Sequence, residues 1–219
     1  MRKFDTCFFE RYARITLESV LGEEYSVLVN EDRPDLQMPD GSLGIEVTRA
    51  MDSRKDVALE LLKEMAGFDV PESDREEMGR IISSGYGYGL QEGRYVGHLE
   101  YEYWSLALPL RRIIESKVSK VASGFYGDFG EFGLYVFCKD DLSEEEVHLT
   151  VEYICSLQRN LDIRYSRLYL SQIDRLHVCD LSDMDRSSIA DRCSSYEISR
   201  DMRKNFFIRA LQPDIKENL

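Results

Sequence analysis

The stretch Arg33-Pro34-Asp35-Leu36-Gln37-Met38-Pro39-Asp40-Gly41-Ser42-Leu43-Gly44-Ile45-Glu46-Val47-Thr48 leaves this chain little conformational choice. Asp40-Gly41 is a two-residue type I′ turn signal, because both residue types tolerate the positive φ that such a turn demands. Closure at that point fixes a β-hairpin register in which Asp35 faces Glu46, Gln37 faces Gly44 and Arg33 faces Thr48. Side chains alternate along a strand, so these six share one side of the ribbon. Leu36, Met38, Leu43, Ile45 and Val47 occupy the other, which is therefore the side to be buried. Opposed side chains in such a ribbon stand roughly 4.5–5.5 Å apart at Cβ, where two carboxylates repel and weaken the sheet. A divalent cation held between Asp35 and Glu46 would offset that repulsion. Ile45-Glu46-Val47 is strongly β-forming and is expected to lie inside a sheet rather than at its edge.

Pro34-Asp35 followed by Glu46-Val47-Thr48, with an acidic helix before and a helical segment after, resembles the core of the PD-(D/E)XK superfamily of restriction-endonuclease-like nucleases. The resemblance implies that Asp35 and Glu46 bind Mg²⁺ or Mn²⁺ with help from the Val47 carbonyl. A lysine two residues beyond the second acid would help to activate water. Here that position is Thr48, which has no charge with which to stabilise a hydroxide or a phosphorane. Family members in which the lysine has migrated make Lys117 and Lys120 the candidate replacements, both lying on the stretch Arg111–Lys120. Lys117 is preferred because it borders an apolar stripe. Some members add a glutamate from the first helix. Of Glu10 and Glu18, Glu18 is preferred because it flanks Ile15 and Leu21.

Composition bounds what surrounds this hairpin. A chain of 219 residues, 43% hydrophobic and 11% aromatic, is expected to form one domain over 1–219 with a sizeable core and a helical and loop insertion around 68–105. No apolar run approaches the roughly 18 residues of a membrane span. The first 22 residues carry only the short cluster Cys7-Phe8-Phe9, interrupted by Glu10 and Arg11, so they do not read as a signal peptide. Five cysteines without a CxxC pair suit a reducing, cytoplasmic setting. His98, His148 and His177 are too scattered for a zinc finger or an HExxH site.

The formal charge of −13 weighs against a nucleic-acid partner, since phosphate backbones are bound largely through Lys and Arg. Screening limits that objection to charges within about 8–10 Å, so local clusters decide. Arg111-Arg112 with Lys117 and Lys120 is one cluster; Arg200, Arg203, Lys204 and Arg209 form another.

Along the chain, helical spacing predicts a first helix over 5–21 ending at Gly22 and a strand over Tyr25–Asn30 before the hairpin. A helix follows over 52–67, then a glycine- and tyrosine-rich loop around 83–97. Tyr101, Tyr103 and Trp104 precede a long helix over Leu106–Ala122. Leu134–Cys138 reads as a central strand, and Ser143 with Glu146 as a capping box that opens a helix ending near Asn160. Strands are expected at Leu168–Leu170 and Leu176–Cys179, and a partly basic helix over Tyr196–Leu211. The order gives an α/β fold, a central mixed sheet flanked by helices, and resembles the α-β-β-β-α-β nuclease core.

Two functions follow. The first is an Mg²⁺-dependent phosphodiesterase acting on DNA or RNA, with Asp35, Glu46, Lys117 and Lys120 catalytic, Asp35, Glu46, Val47 and Glu18 at the metal, and Arg33, Thr48 and Arg112 at the substrate. The second is a catalytically inert nuclease-like domain whose acidic face binds a basic protein, as an inhibitor or immunity-type module would. Thr48 and the net charge favour the second.

Overall fold

A continuous apolar strand is stable only where both its faces are covered, and Glu131–Cys138 occupies such a place. The computed structural model describes residues 8–50, 90–91, 94–95, 109–138, 142–182 and 188–211. The expected helix over 52–67, most of the glycine and tyrosine loop, and the Tyr101, Tyr103 and Trp104 cluster lie outside them.

Within the described residues, seven strands form one mixed sheet in the order β1-β2-β3-β6-β7-β8-β9. They are β1 (Val29–Asn30), β2 (Leu36–Gln37), β3 (Leu43–Ala50), β6 (Glu131–Cys138), β7 (Arg167–Ser171), β8 (Arg175–Asp180) and β9 (Cys193–Glu197). Leu90–Gln91 (β4) and Arg94–Tyr95 (β5) make a separate antiparallel pair. β1, β2 and β3 run antiparallel, β6 lies parallel to β3, β7 parallel to β6, and β8 and β9 close the far edge antiparallel.

Helices cover both faces. On one face, α1 (Phe8–Leu21) and α5 (Arg200–Ala210) pack on Leu36, Leu43, Ile45, Val47, Tyr135 and Phe137. The two helices are tied by Phe8 against Phe207 and by the Arg11 Nε donating to the Ala210 carbonyl at 2.8 Å. On the other face, α2 (Pro109–Ala122) and α3 (Glu144–Gln158) cover Ala50, Leu134, Val136, Leu168 and Leu170. α3 begins with the expected capping box, Ser143 and Glu146 each holding the other's backbone N–H. A short helix, α4 (Ile189–Arg192), precedes β9.

Three local expectations are corrected. Tyr25 does not start a strand: Glu23–Val27 is a 3-10 helix that drops the Tyr25 ring into the core, where its hydroxyl meets that of Tyr169 at 3.2 Å. Tyr196 is not helical: Cys193–Glu197 extends the sheet beside β8, and α5 starts only after Ser199, whose side chain accepts from the Met202 N–H. The hairpin turn is not type I′, since Gly41 has φ 73 but Asp40 is not among the positive-φ residues. Pro39 fixes the preceding φ, and the Gly41 N–H closes onto the Met38 carbonyl at 2.9 Å, a type I arrangement followed by a left-handed glycine. Asp40 braces it by accepting from the Ser42 N–H and hydroxyl.

Candidate functional site

The register survives the change of turn. Leu36 pairs with Ile45 and Gln37 with Gly44, so Asp35, one residue before β2, comes level with Glu46. The oily underside is also as expected, with Leu36, Leu43, Ile45 and Val47 buried and Met38 packed against them. What the hairpin pattern could not convey is that the acidic side is covered too. Glu46 pairs in register with Leu134 on the face beneath α2, and only 5% of it is exposed.

α2 supplies the partner. Ile113, Lys117 and Val121 recur at helical spacing, so the lysine projects from the buried stripe rather than beside it. Lys117 is as buried as Glu46, and its Nζ meets Glu46 Oε1 at 2.5 Å. Removing two charges from water costs several kcal/mol per ion, which a good pair only roughly offsets. Such a pair is therefore weak evidence for stability.

Asp35 is fixed from the other side, its Oδ2 accepting from the Val47 N–H at 2.7 Å. Burial raises its carboxyl to about 8, and the nearby charges of Glu46 and then Glu10 push the same way. The Val47 N–H and the Lys117 charge oppose that rise without cancelling it. Near neutral pH the site therefore holds Asp35 mostly protonated, as a carboxyl taken out of water does.

Glu10, rather than the preferred Glu18, is the helix glutamate that acts on Asp35. It accepts from Asn30 Nδ2 at 3.0 Å, and Asn30 pairs in β1 with Leu36, the neighbour of Asp35. Glu18 instead binds Arg209 Nη2 at 2.9 Å, tying α1 to α5. Nearness to the apolar stripe applied to both glutamates; what separates them is height along α1, about 12 Å over eight residues. Thr48 lies on the same face of β3 as Glu46, half-buried and level with Val136. Arg112 acts on the exposed Glu115, the neighbour of Arg111 and Tyr153.

The loop after α2 completes the surroundings. Tyr126 is buried, and its hydroxyl lies near Glu46 and Tyr165. Burial keeps both tyrosines protonated, and Glu46 reinforces this. Phe125, next in sequence, is 45% exposed. The Arg33 guanidinium lies 5.0 Å and the Lys120 ammonium 5.4 Å from its ring centre. Lys120 thus stands at the rim with Arg33, while Lys117 stands within. An aromatic pair in the loop directly following two lysines was the signal for Phe125 and Tyr126.

Gly44 sets the approach of the Pro34-Asp35 turn. A Cβ there would lie 2.6 Å from Pro34 Cγ and 3.1 Å from the Phe129 ring. Gly44→Ala is expected to push the turn outward, to cost about 1–3 kcal/mol as overpacking does, and to detach Asp35 from the Val47 N–H. Amide exchange at Val47 reports the detachment, and unchanged protection of that amide would refute it.

Asp35 and Glu46 offer the hard oxygen donors that suit Mg²⁺ or Mn²⁺. The Asp35 carboxyl is raised first by burial and then by the Glu46 and Glu10 charges. By ligand geometry, no group of three or more His, Cys, Asp or Glu side chains among the described residues gathers as a metal cluster. Among the described residues, too, no helix is long and apolar enough to cross a membrane. No protein-family model matches the chain, and neither a curated protein nor a solved structure matches it.

Proposed function

We propose that the protein is a metal-dependent phosphodiesterase of the PD-(D/E)XK type, acting on nucleic acid, with its lysine delivered from α2 instead of β3. The observation that carries this reading is Lys117 seated on Glu46 beside Asp35. The order of elements supports it: a helix, an antiparallel β1-β2-β3 meander, a helix, then β6 parallel to β3.

In this reading the Asp35 and Glu46 carboxylates, with the Val47 carbonyl, would hold Mg²⁺ or Mn²⁺. A bound divalent cation supplies a Lewis acid for the phosphate and a lowered pKa for water. Asp35 would have to bind such an ion as the carboxylate. Lys117 holds Glu46 in place and presents its ammonium where charge develops on phosphate, the task that Thr48 lacks the charge to perform. The Tyr126 hydroxyl donates to an oxygen of the bound phosphate. Arg33 and Lys120 gather phosphate at the rim, and Phe125 offers a face on which a base can stack.

Calorimetric titration of Mn²⁺ tests the site, alongside cleavage of DNA and RNA oligonucleotides in Mn²⁺. Wild type is expected to bind at least about tenfold more tightly than Asp35→Ala, a difference of about 1.4 kcal/mol, and to cleave where the variant does not. Negligible and equal heats remove the proposal.

A second reading is favoured by the deep burial of Glu46 and Lys117 together with Thr48 and the charge of −13. In it the ion pair is a relic of that site, and the domain is an inert module that binds a basic protein. Mn²⁺ binding without cleavage, with salt-sensitive capture of a basic protein, would favour it.

A further inference from the structure

Away from the acid site, three of the cysteines converge where α3, β8 and β9 meet. Cys179 and Cys193 are register partners on the antiparallel strands β8 and β9. Opposed residues in such a ladder have Cα atoms about 4.5 or 5.5 Å apart, depending on the pair type. Both separations fall within the roughly 4.4–6.8 Å span of disulfides. The two thiols act on each other, raising Cys179 and lowering Cys193. Cys155, half-buried on α3, lies close by, and the Arg192 guanidinium acts on both Cys155 and Cys193.

The pair is asymmetric. Cys179 is fully buried, whereas Cys193 is partly exposed on the edge strand, followed by the exposed run Ser194–Glu197. A diffusible oxidant therefore meets Cys193 first. Its neighbour Cys179 and the Arg192 charge both favour thiolate at Cys193, while Cys193 in turn and then burial hold Cys179 as a thiol.

We infer that Cys179 and Cys193 form an oxidisable dithiol, with Cys193 the peroxide-reactive sulfur and Cys179 the one that resolves it into a cross-strand disulfide. The Cys193 thiolate attacks one peroxide oxygen, the O–O bond breaks, and the departing hydroxide takes a proton to leave as water. The sulfenic acid at Cys193 is then attacked by the Cys179 sulfur. The S–O bond breaks, the oxygen leaves as a second water carrying the Cys179 proton, and the S–S bond forms. Two thiols are oxidised by two electrons and one peroxide is reduced to two waters. The new bond joins β9 to β8 covalently across a chain loop of about 15 residues, which restricts the unfolded chain. This inference is independent of the proposed nuclease activity.

The test treats the reduced full-length protein with stoichiometric hydrogen peroxide, blocks the remaining thiols, and maps peptides by mass. The expected product is a Cys179–Cys193 cross-link with loss of two hydrogens, accompanied by a melting temperature higher by roughly 5–10 °C. Cys193→Ser is expected to lose the cross-link and the shift, whereas Cys155→Ser keeps both. Should Cys179→Ser fail to fold, the wild-type peptide map alone still decides. A cross-link through Cys155, or Cys193 modified no faster than the buried Cys138, overturns the inference.

Discussion

Lys117→Met is expected to lower the stability of the folded protein by about 3–5 kcal/mol, because it leaves the Glu46 carboxylate buried without its countercharge. Urea unfolding should register this as a lower midpoint at unchanged slope. The paired replacement Glu46→Leu with Lys117→Met is expected to recover most of the loss, since well-packed apolar residues often match or exceed a buried ion pair. On the phosphodiesterase proposal, both variants should lose at least about a hundredfold in cleavage, a removal of roughly 2.7 kcal/mol or more of transition-state stabilisation. Recovered stability without recovered cleavage would separate the role of the pair in the site from its role in the fold. A single variant less than about 1 kcal/mol below wild type would instead mean that water reaches Glu46 when the lysine goes.

The second large effect concerns Asp35 and pH. Its folded carboxyl titrates near 8, well above its ordinary value of 3.8. The native state therefore binds the extra proton, and the sign of the linkage follows: between those two values the contribution of Asp35 to stability falls as pH rises. Without divalent cations, stability is expected to decline by about 3 kcal/mol from roughly pH 5 to pH 8 on this account. Asp35→Asn, a neutral isostere, should flatten that decline and exceed wild type in stability at pH 8. With Mn²⁺ present the wild type should regain stability at high pH and release a proton on binding, whereas the Asn variant does neither. Parallel declines with pH for the two proteins would place the missing positive charge elsewhere.

Much of the arrangement was legible because the information was local. The facing of Leu36 with Ile45 follows from alternation and a single turn, and it survived an incorrect turn type because Pro39 and Gly41 close the ribbon at the same residues. The Ser143 cap and the apolar run ending at Cys138 were equally local signals. Lys117 could be placed at the edge of an apolar stripe because a helix carries its own geometry, and the structure puts it within that stripe. What failed was relational. The choice between Glu10 and Glu18 depends on how α1 crosses the sheet, which no spacing within α1 encodes. The burial of Glu46 required α2 to lie over it, and β9 was missed because Ser194-Ser195 carries no apolar pattern: its residues pair at an edge, with Ser195 and Tyr196 level with His177 and Leu176. The 3-10 helix at Glu23–Val27 was hidden for a similar reason, since Tyr25 belongs to the core through a ring at the end of a turn, not through a strand.

The packing of α1 against α5 carries a consequence for biosynthesis. Phe8 and Phe207 touch across nearly the whole sequence, so the layer above Ile45 and Tyr135 has a high contact order. A nascent chain has no second helix with which to complete that layer until residues 200–210 have left the ribosome. Until then the aromatic face of α1 is available to chaperones or to neighbouring chains, and α1 alone covers that side of the sheet.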